Sequence, residues 1–131
     1  MDFQEFHITG VDKEHIERDA TQINAYKFPL LLSGKPDDLW IKFMHQAYRI
    51  SSFSKKRQYV VVGNLVTLIV FADDNMQIQL DFFKELVTMA NDEYRKMLSR
   101  KDEERRAEEE RKRRELETIQ RLRSEVDRLK F

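Results

Sequence analysis

Apolar and polar residues alternate along two early stretches of the chain, which is the pattern of a half-buried β-strand. In Phe3–Val11 the alternation places Phe6 and Ile8 on one side of an extended segment. In the second stretch it places four apolar residues on one side: Tyr26, Phe28, Leu30 and Leu32. The polar segment between the two, VDKEHIERDATQ, has no clear period, and we interpret it as a loop or an irregular extension of the second strand.

A first helix is predicted from the segment Ser33–Asp38 to about Ser51. Pro36 lies near the first helical position, and Asp37 and Asp38 face the positive end of the helix dipole. Apolar residues then recur at steps of three and four, which predicts one stripe that packs on a sheet. The stripe consists of Trp40, Phe43, Met44, Ala47 and Tyr48.

A β-hairpin followed by a second helix completes the N-terminal part. Gln58–Val62 and Leu65–Phe71 are rich in β-branched residues, and Gly63-Asn64 between them suits a tight primed turn. Asp73–Asn75 then supplies N-cap candidates for the second helix. The order β-β-α-β-β-α predicts an α+β domain over residues 1–98, with helices on one face of a four-stranded antiparallel sheet.

The second helix has a wider apolar arc than one sheet contact requires. Ile78, Phe82 and Met89 lie on one edge of this arc. Either the two edges cover the sheet and the first helix, or part of the arc meets a second subunit. We therefore include Ile78, Phe82 and Met89 among the candidate oligomer-interface residues.

Residues 99–131 form a separate C-terminal segment with a different composition. From Ser99 to Glu115 nearly every residue is charged, and acids precede bases by four positions, as in Glu108–Lys112 and Glu110–Arg114. Such pairs stabilise a solvated helix by about 0.2–0.5 kcal/mol each. We expect the second helix to continue through this shaft to the C-terminus, and a disordered charged tail is the alternative.

Heptad spacing returns at the end of the chain. Ile119 and Val126 occupy a positions, and Leu122 and Leu129 occupy d positions. β-Branched residues at a with leucine at d favour a parallel dimer, and Glu125 at g can attract Lys130 at the following e position. This coiled-coil seam covers only about two heptads, which is shorter than a coiled-coil prediction normally requires, and docking on a different protein is the alternative to self-association.

Composition narrows the possible functions. Lysine plus arginine equals aspartate plus glutamate at 24 each, so no overall charge attracts nucleic acid or membrane. The chain has no cysteine, which fits a reducing compartment, and it has no signal-peptide or membrane-spanning pattern, so we expect a cytoplasmic protein. No phosphate-binding, nucleophile or metal-ligand motif is present, and we expect neither enzyme activity, cofactor nor metal site.

One basic cluster leaves a second function open. Arg49, Lys55, Lys56 and Arg57 surround the turn into the third predicted strand, with Phe53 and Tyr59 interleaved. Such a cluster can contact phosphates while an aromatic ring stacks on a base. The cluster is a single turn rather than a stripe, so nucleic acid is the less favoured partner.

The sequence therefore predicts a non-enzymatic scaffold or protein–protein interaction module that forms homo-oligomers, with a parallel homodimer favoured. In this hypothesis the coiled-coil tail mediates self-association or docking to a protein partner. The alternative is a small nucleic-acid-associated protein that uses the basic cluster.

Overall fold

A computed structural model of the chain describes residues 3–131. It consists of two compact units, Met1–Arg95 and Lys96–Phe131, and each is described by itself. The division falls between Arg95 and Lys96, whereas the sequence predicts it between residues 98 and 99. The predicted α+β class and its order, strand-strand-helix-strand-strand-helix, are confirmed.

The N-terminal unit contains one antiparallel sheet. Its strands are β1 (Ile8–Val11), β2 (Glu17–Arg18), β3 (Ala25–Leu32), β4 (Tyr59–Val62) and β5 (Leu65–Phe71). The order across the sheet is β1-β3-β5-β4, and the short β2 also pairs with β3. The polar segment before β3 therefore contains a strand, preceded by a 3-10 helix at Lys13–His15.

The first strand is shorter than the predicted Phe3–Val11, because only its end pairs with β3. Phe6 lies outside the sheet, and its backbone N–H and C=O bond to the side chain of Asn91 instead. A side-chain amide thus replaces a strand as the partner of this segment.

Helix α1 (Asp38–Ile50) begins as predicted, because the Asp37 carboxylate accepts a hydrogen bond from the Trp40 N–H at 2.8 Å. Helix α2 (Met76–Val126) begins after Asn75, whose side chain accepts from the Ile78 N–H at 3.1 Å. The helix stops at Val126 instead of reaching the C-terminus. Residues 127–131 are exposed, so no packing offsets the entropy cost of extending the helix over them.

The core lies between the helices and one face of the sheet. The sheet contributes Leu30, Leu32, Val66, Leu68 and Val70, which alternate along β3 and β5 as expected for one buried face. The helices contribute Trp40, Met44 and Ala47 from α1, and Phe82, Phe83, Leu86, Val87 and Ala90 from α2. The alternation in the sequence therefore predicts the buried side of the sheet correctly at Leu30 and Leu32, whereas Tyr26, on the same predicted side, is exposed.

A buried asparagine connects the elements of this core. The Asn91 side-chain oxygen accepts from the Trp40 indole N–H at 2.9 Å and from the Phe6 N–H at 3.1 Å. Its amide group donates to the Phe6 carbonyl at 2.8 Å. Asn91 and Trp40 are both buried, so these bonds satisfy groups that water cannot reach.

The hairpin between β4 and β5 turns at Gly63 and Asn64. Gly63 has φ +61° and Asn64 does not have a positive φ, which fits the first central position of a type II′ turn. This is the primed turn that the Gly-Asn pair predicts. A Cβ atom at Gly63 would meet nothing within 4 Å, so only the backbone conformation selects glycine here.

We predict that Gly63→Ala lowers the free energy of unfolding by about 1–2 kcal/mol, because an L-residue is strained at positive φ. Gly10→Ala is the control, since a Cβ there meets only the Leu31 side chain at 4.0 Å and the backbone φ is not in the left-handed region. Urea denaturation of both variants measures the difference. Equal losses in the two variants would refute the conformational explanation.

We also predict that Asn91→Ala lowers the free energy of unfolding by about 3 kcal/mol or more. Each buried polar group that is left without a partner costs about 1–3 kcal/mol. The groups affected are the Phe6 N–H, the Phe6 C=O and the Trp40 indole N–H. Thr88→Ala on an exposed face of the same helix is the control and should change stability little. A small effect of Asn91→Ala in thermal or urea unfolding would show that water replaces the amide.

Candidate functional site

The basic cluster predicted as a nucleic-acid contact is partly occupied by an ion pair within the N-terminal unit. Arg57 donates from Nε to Asp74 Oδ2 at 2.7 Å and from a terminal nitrogen to Asp74 Oδ1 at 2.6 Å. The Arg57 guanidinium also lies 5.0 Å from the Phe71 ring centre. Because both carboxylate oxygens and one ring face hold this guanidinium, phosphate would have to displace Asp74.

The other basic residues of the cluster are more accessible. Lys55 and Arg49 are exposed, while Lys56 lies 5.2 Å from the Tyr48 ring centre and donates to the Arg49 carbonyl at 3.5 Å. The structure therefore brings Lys56 and Arg49 together, whereas Arg57 is held in its ion pair with Asp74.

The two aromatics interleaved with the cluster pack inward. Phe53 stacks on Phe82 with ring centres 4.4 Å apart, and Tyr59 contacts Phe83 edge-on at 5.2 Å. Neither ring is displayed as an open stacking platform. Sequence reasoning missed this, because the position of a loop aromatic depends on tertiary contacts that have no local period.

A groove of about 520 Å³ lies between α1 and the N-terminal end of β4. Its walls include Asp38, Ile41, Lys42, His45, Arg49 and Tyr59. The Tyr59 hydroxyl lies 2.5 Å from His45 Nδ1, and burial raises the pKa of the phenol above its ordinary value. The phenol is therefore protonated, and its short contact with the imidazole holds it in place as a hydrogen-bonding group.

Of the three α2 residues predicted at an oligomer interface, one belongs to the core. Phe82 is buried among Phe53, Phe83 and Tyr48. Ile78 and Met89 are exposed. The intramolecular explanation of the wide arc thus accounts for Phe82, and only Ile78 and Met89 retain open apolar surface.

The residues of the predicted seam are exposed in the C-terminal unit. Ile119, Leu122 and Val126 are 45%, 49% and 52% exposed on α2, and Leu129 is exposed beyond the helix end. No residue between 111 and 131 is buried within this unit. These side chains are therefore apolar groups in contact with water on an otherwise charged helix.

The charged shaft that precedes the seam contains a mixture of ion-pair spacings. The predicted Glu110–Arg114 pair forms at 3.2 Å. Glu108 pairs with Arg111 at 2.5 Å instead of Lys112, and Glu109 pairs with Arg105 at 3.1 Å instead of Arg113. Because partners three and four residues away are within similar reach, such surface pairs exchange readily and contribute little individually.

Within residues 3–131, no group of three or more His, Asp or Glu side chains is arranged to hold a metal ion. His15 pairs with Asp12 at 2.7 Å, and it does not gather the neighbouring acids into a cluster. A search of the same residues finds no helix that is both long and apolar enough to span a membrane.

In comparisons with known proteins, the chain matches no family model, no curated protein and no solved structure. Its function has to be argued from its own residues.

The Arg57–Asp74 pair predicts a pH dependence of stability. The hydrogen bond from Arg57 lowers the pKa of Asp74 below its ordinary value, with a further contribution from the Phe71 N–H, while burial opposes the shift. A lowered folded-state pKa stabilises the fold above the unfolded pKa of about 3.9, and this stability is lost as pH falls through the folded value.

We therefore expect Asp74→Asn to lower the unfolding free energy at pH 7 by about 2 kcal/mol, the usual contribution of a charged hydrogen bond. The variant should also lose less stability than the parent protein below about pH 4. Urea unfolding between pH 2 and 7 measures both effects, with the exposed neighbour change Asp73→Asn as control. Parallel pH profiles for all three proteins would contradict the assignment.

Proposed function

We propose that this protein is a non-enzymatic interaction or scaffold module whose C-terminal seam pairs with a second copy to form a homodimer. The observation that carries the proposal is the row of exposed apolar side chains at Ile119, Leu122 and Val126, on a helix otherwise covered by charges. Apolar surface at regular heptad spacing is the usual signature of a helix that has a partner helix.

Burial of this seam provides the driving force for pairing. Fully burying a large aliphatic side chain contributes about 1.5–3 kcal/mol, so the exposed half of each seam residue is worth about 1 kcal/mol. Two copies bury every seam position twice. This gain offsets the ordering cost only if most of the seam is used.

The end of α2 limits how much of the seam is ready for pairing. Leu129 and Lys130 lie beyond Val126, where the helix stops. A parallel coil that includes Leu129 and the Glu125–Lys130 attraction must therefore extend the helix over residues 127–130. Pairing supplies the packing that these residues lack in a single chain.

The nucleic-acid alternative has less support. Its four basic residues include Arg57, whose guanidinium donates to both carboxylate oxygens of Asp74 along one edge. The remaining residues, Arg49, Lys55 and Lys56, provide a small basic patch on a chain without net charge.

We expect Leu122→Glu in the full chain to weaken the dimer at least about ten-fold, because it places like charges against each other at the centre of the seam. Ser124→Glu is the matched control, since it adds the same charge at an f position on the outer face. Size exclusion with light scattering measures the mass of each variant. The proposal fails if the parent chain is a monomer, or if Leu122→Glu weakens the dimer no more than Ser124→Glu does.

A further inference from the structure

Strand β4 lies at an edge of the sheet and has backbone groups available for pairing. Val62 pairs with Leu65 next to the two-residue turn, and the Ile69 N–H bonds to the Gln58 carbonyl at 2.9 Å. Since antiparallel pairs alternate, Gln58, Val60 and Val62 direct their backbone groups to β5. Tyr59 and Val61 direct theirs outward, and no backbone group within residues 3–131 pairs with them.

The two edges of the sheet are protected differently. β1 has a register shift between Ile8 and Gly10, a bulge that discourages a further strand from pairing. β4 reads Tyr-Val-Val-Val, keeps a regular register with β5, and contains no charge or proline. Monomeric proteins usually blunt an edge of this kind, so β4 has the properties of an edge that another strand covers.

We propose that β4 pairs with β4 of a second copy, in antiparallel orientation about a twofold axis that passes midway between the two Val60 residues. In this register the outward groups of Tyr59 bond to those of Val61 in the second copy, and the reverse pair forms by symmetry. Val60 then faces Val60 of the second copy on the sheet face opposite the core. The two sheets become one continuous sheet, and every outward backbone group of β4 gains a partner.

Charges on α1 complement each other in the same arrangement. α1 runs antiparallel to β4, because Tyr48 donates to the Arg57 carbonyl and His45 meets Tyr59 further along the strand. Asp38 lies at one end of the groove between α1 and β4, and Arg49 lies at the other. A twofold axis perpendicular to the sheet, between the two Val60 residues, places both α1 helices on the same sheet face. It also brings Asp38 of one copy towards Arg49 of the other.

The middle of the groove is compatible with this approach. Lys42 lies there beside the axis, is exposed, and has a flexible stem that keeps its ammonium group in solvent. Ile41 and the Tyr59 ring supply apolar surface that the second α1 covers.

This inference deepens the proposed homodimer but does not depend on the seam. The seam lies in the C-terminal unit, whereas β4 and α1 lie in the N-terminal unit. Each contact can fail while the other stands, so the experiments use separate variants of the full chain.

The test is disulfide trapping. Because the chain contains no cysteine, any disulfide that forms must involve the introduced residue. Directly opposed residues of a non-hydrogen-bonded pair have Cα atoms about 4.5 Å apart, within the span of a disulfide. Val60→Cys should therefore form a covalent dimer under copper–phenanthroline oxidation. Val62→Cys should not, because in this register the two Val62 residues are about 14 Å apart along the strands.

If disulfides formed by random collision, the more exposed position, Val62, would be oxidised more readily than Val60. Val62 is 67% exposed and Val60 is 52% exposed, so non-specific oxidation should trap Val62→Cys at least as well. Preferential trapping of Val60→Cys, repeated in the Leu122→Glu background, supports β4 pairing independently of the seam. Equal trapping, no trapping, or preferential trapping of Val62→Cys would overturn the proposal.

A charge exchange gives a second measurement. Asp38→Arg or Arg49→Asp alone should weaken the dimer several-fold in the Leu122→Glu background, and the double variant should restore it. Circular dichroism of each variant verifies that α1 still forms. If the double variant is as weak as the single variants, the alignment of Asp38 with Arg49 is wrong.

Discussion

The amide of Asn91 is the interaction on which the arrangement of the N-terminal unit depends. It bonds to both backbone groups of Phe6 and to the Trp40 indole, so one side chain on α2 fixes the N-terminal segment and α1 together. The Phe6 ring also packs edge-on against Trp40 at 5.2 Å. Leaving any of these three groups unpaired in the core is costly, so the contact is specific as well as stabilising.

The position of α1 has consequences at the opposite edge of the sheet. Trp40 is held by Asn91, and Asp37, which caps α1, also accepts from the Tyr94 hydroxyl at 2.6 Å. With its N-terminal end fixed on α2, α1 extends so that His45 and Tyr48 reach β4 and the residues before it. The helix therefore covers the core side of β4 but leaves its outward backbone groups open. The groove between α1 and β4 and the open edge of β4 therefore both follow from the way α1 is fixed on α2.

Sequence periodicity predicts the helices and strands that have one side in the core and the other in solvent. Alternation identified β3 and the hairpin, and steps of three and four identified α1 and the start of α2, because each side of these elements meets one environment. The contacts that connect the elements have no such period. Asn91 was a polar residue within an apolar arc, which is a usable signal, but its partners are far away in sequence. Arg57 was grouped with its basic neighbours, since its pairing with Asp74 exists only after the hairpin has formed. The wide apolar arc predicts Phe82 as a candidate interface residue, whereas in the structure Phe53, from a loop whose position has no local period, stacks on it.

The seam and the β4 edge are different kinds of contact, and they reinforce each other when they join the same two copies. The seam gains only apolar burial over about two heptads, and the edge gains a few backbone hydrogen bonds, each worth about 1 kcal/mol net. Either contact alone is weak against the loss of translational and rotational freedom. If both contacts share one twofold axis, the second forms within a pair that the first has already joined and does not pay the association cost again. Both contacts are twofold and self-complementary, so a pair of chains that satisfies both leaves neither surface open. In the proposed homodimer, two weak symmetric contacts that share an axis would therefore hold the pair more tightly than either contact alone.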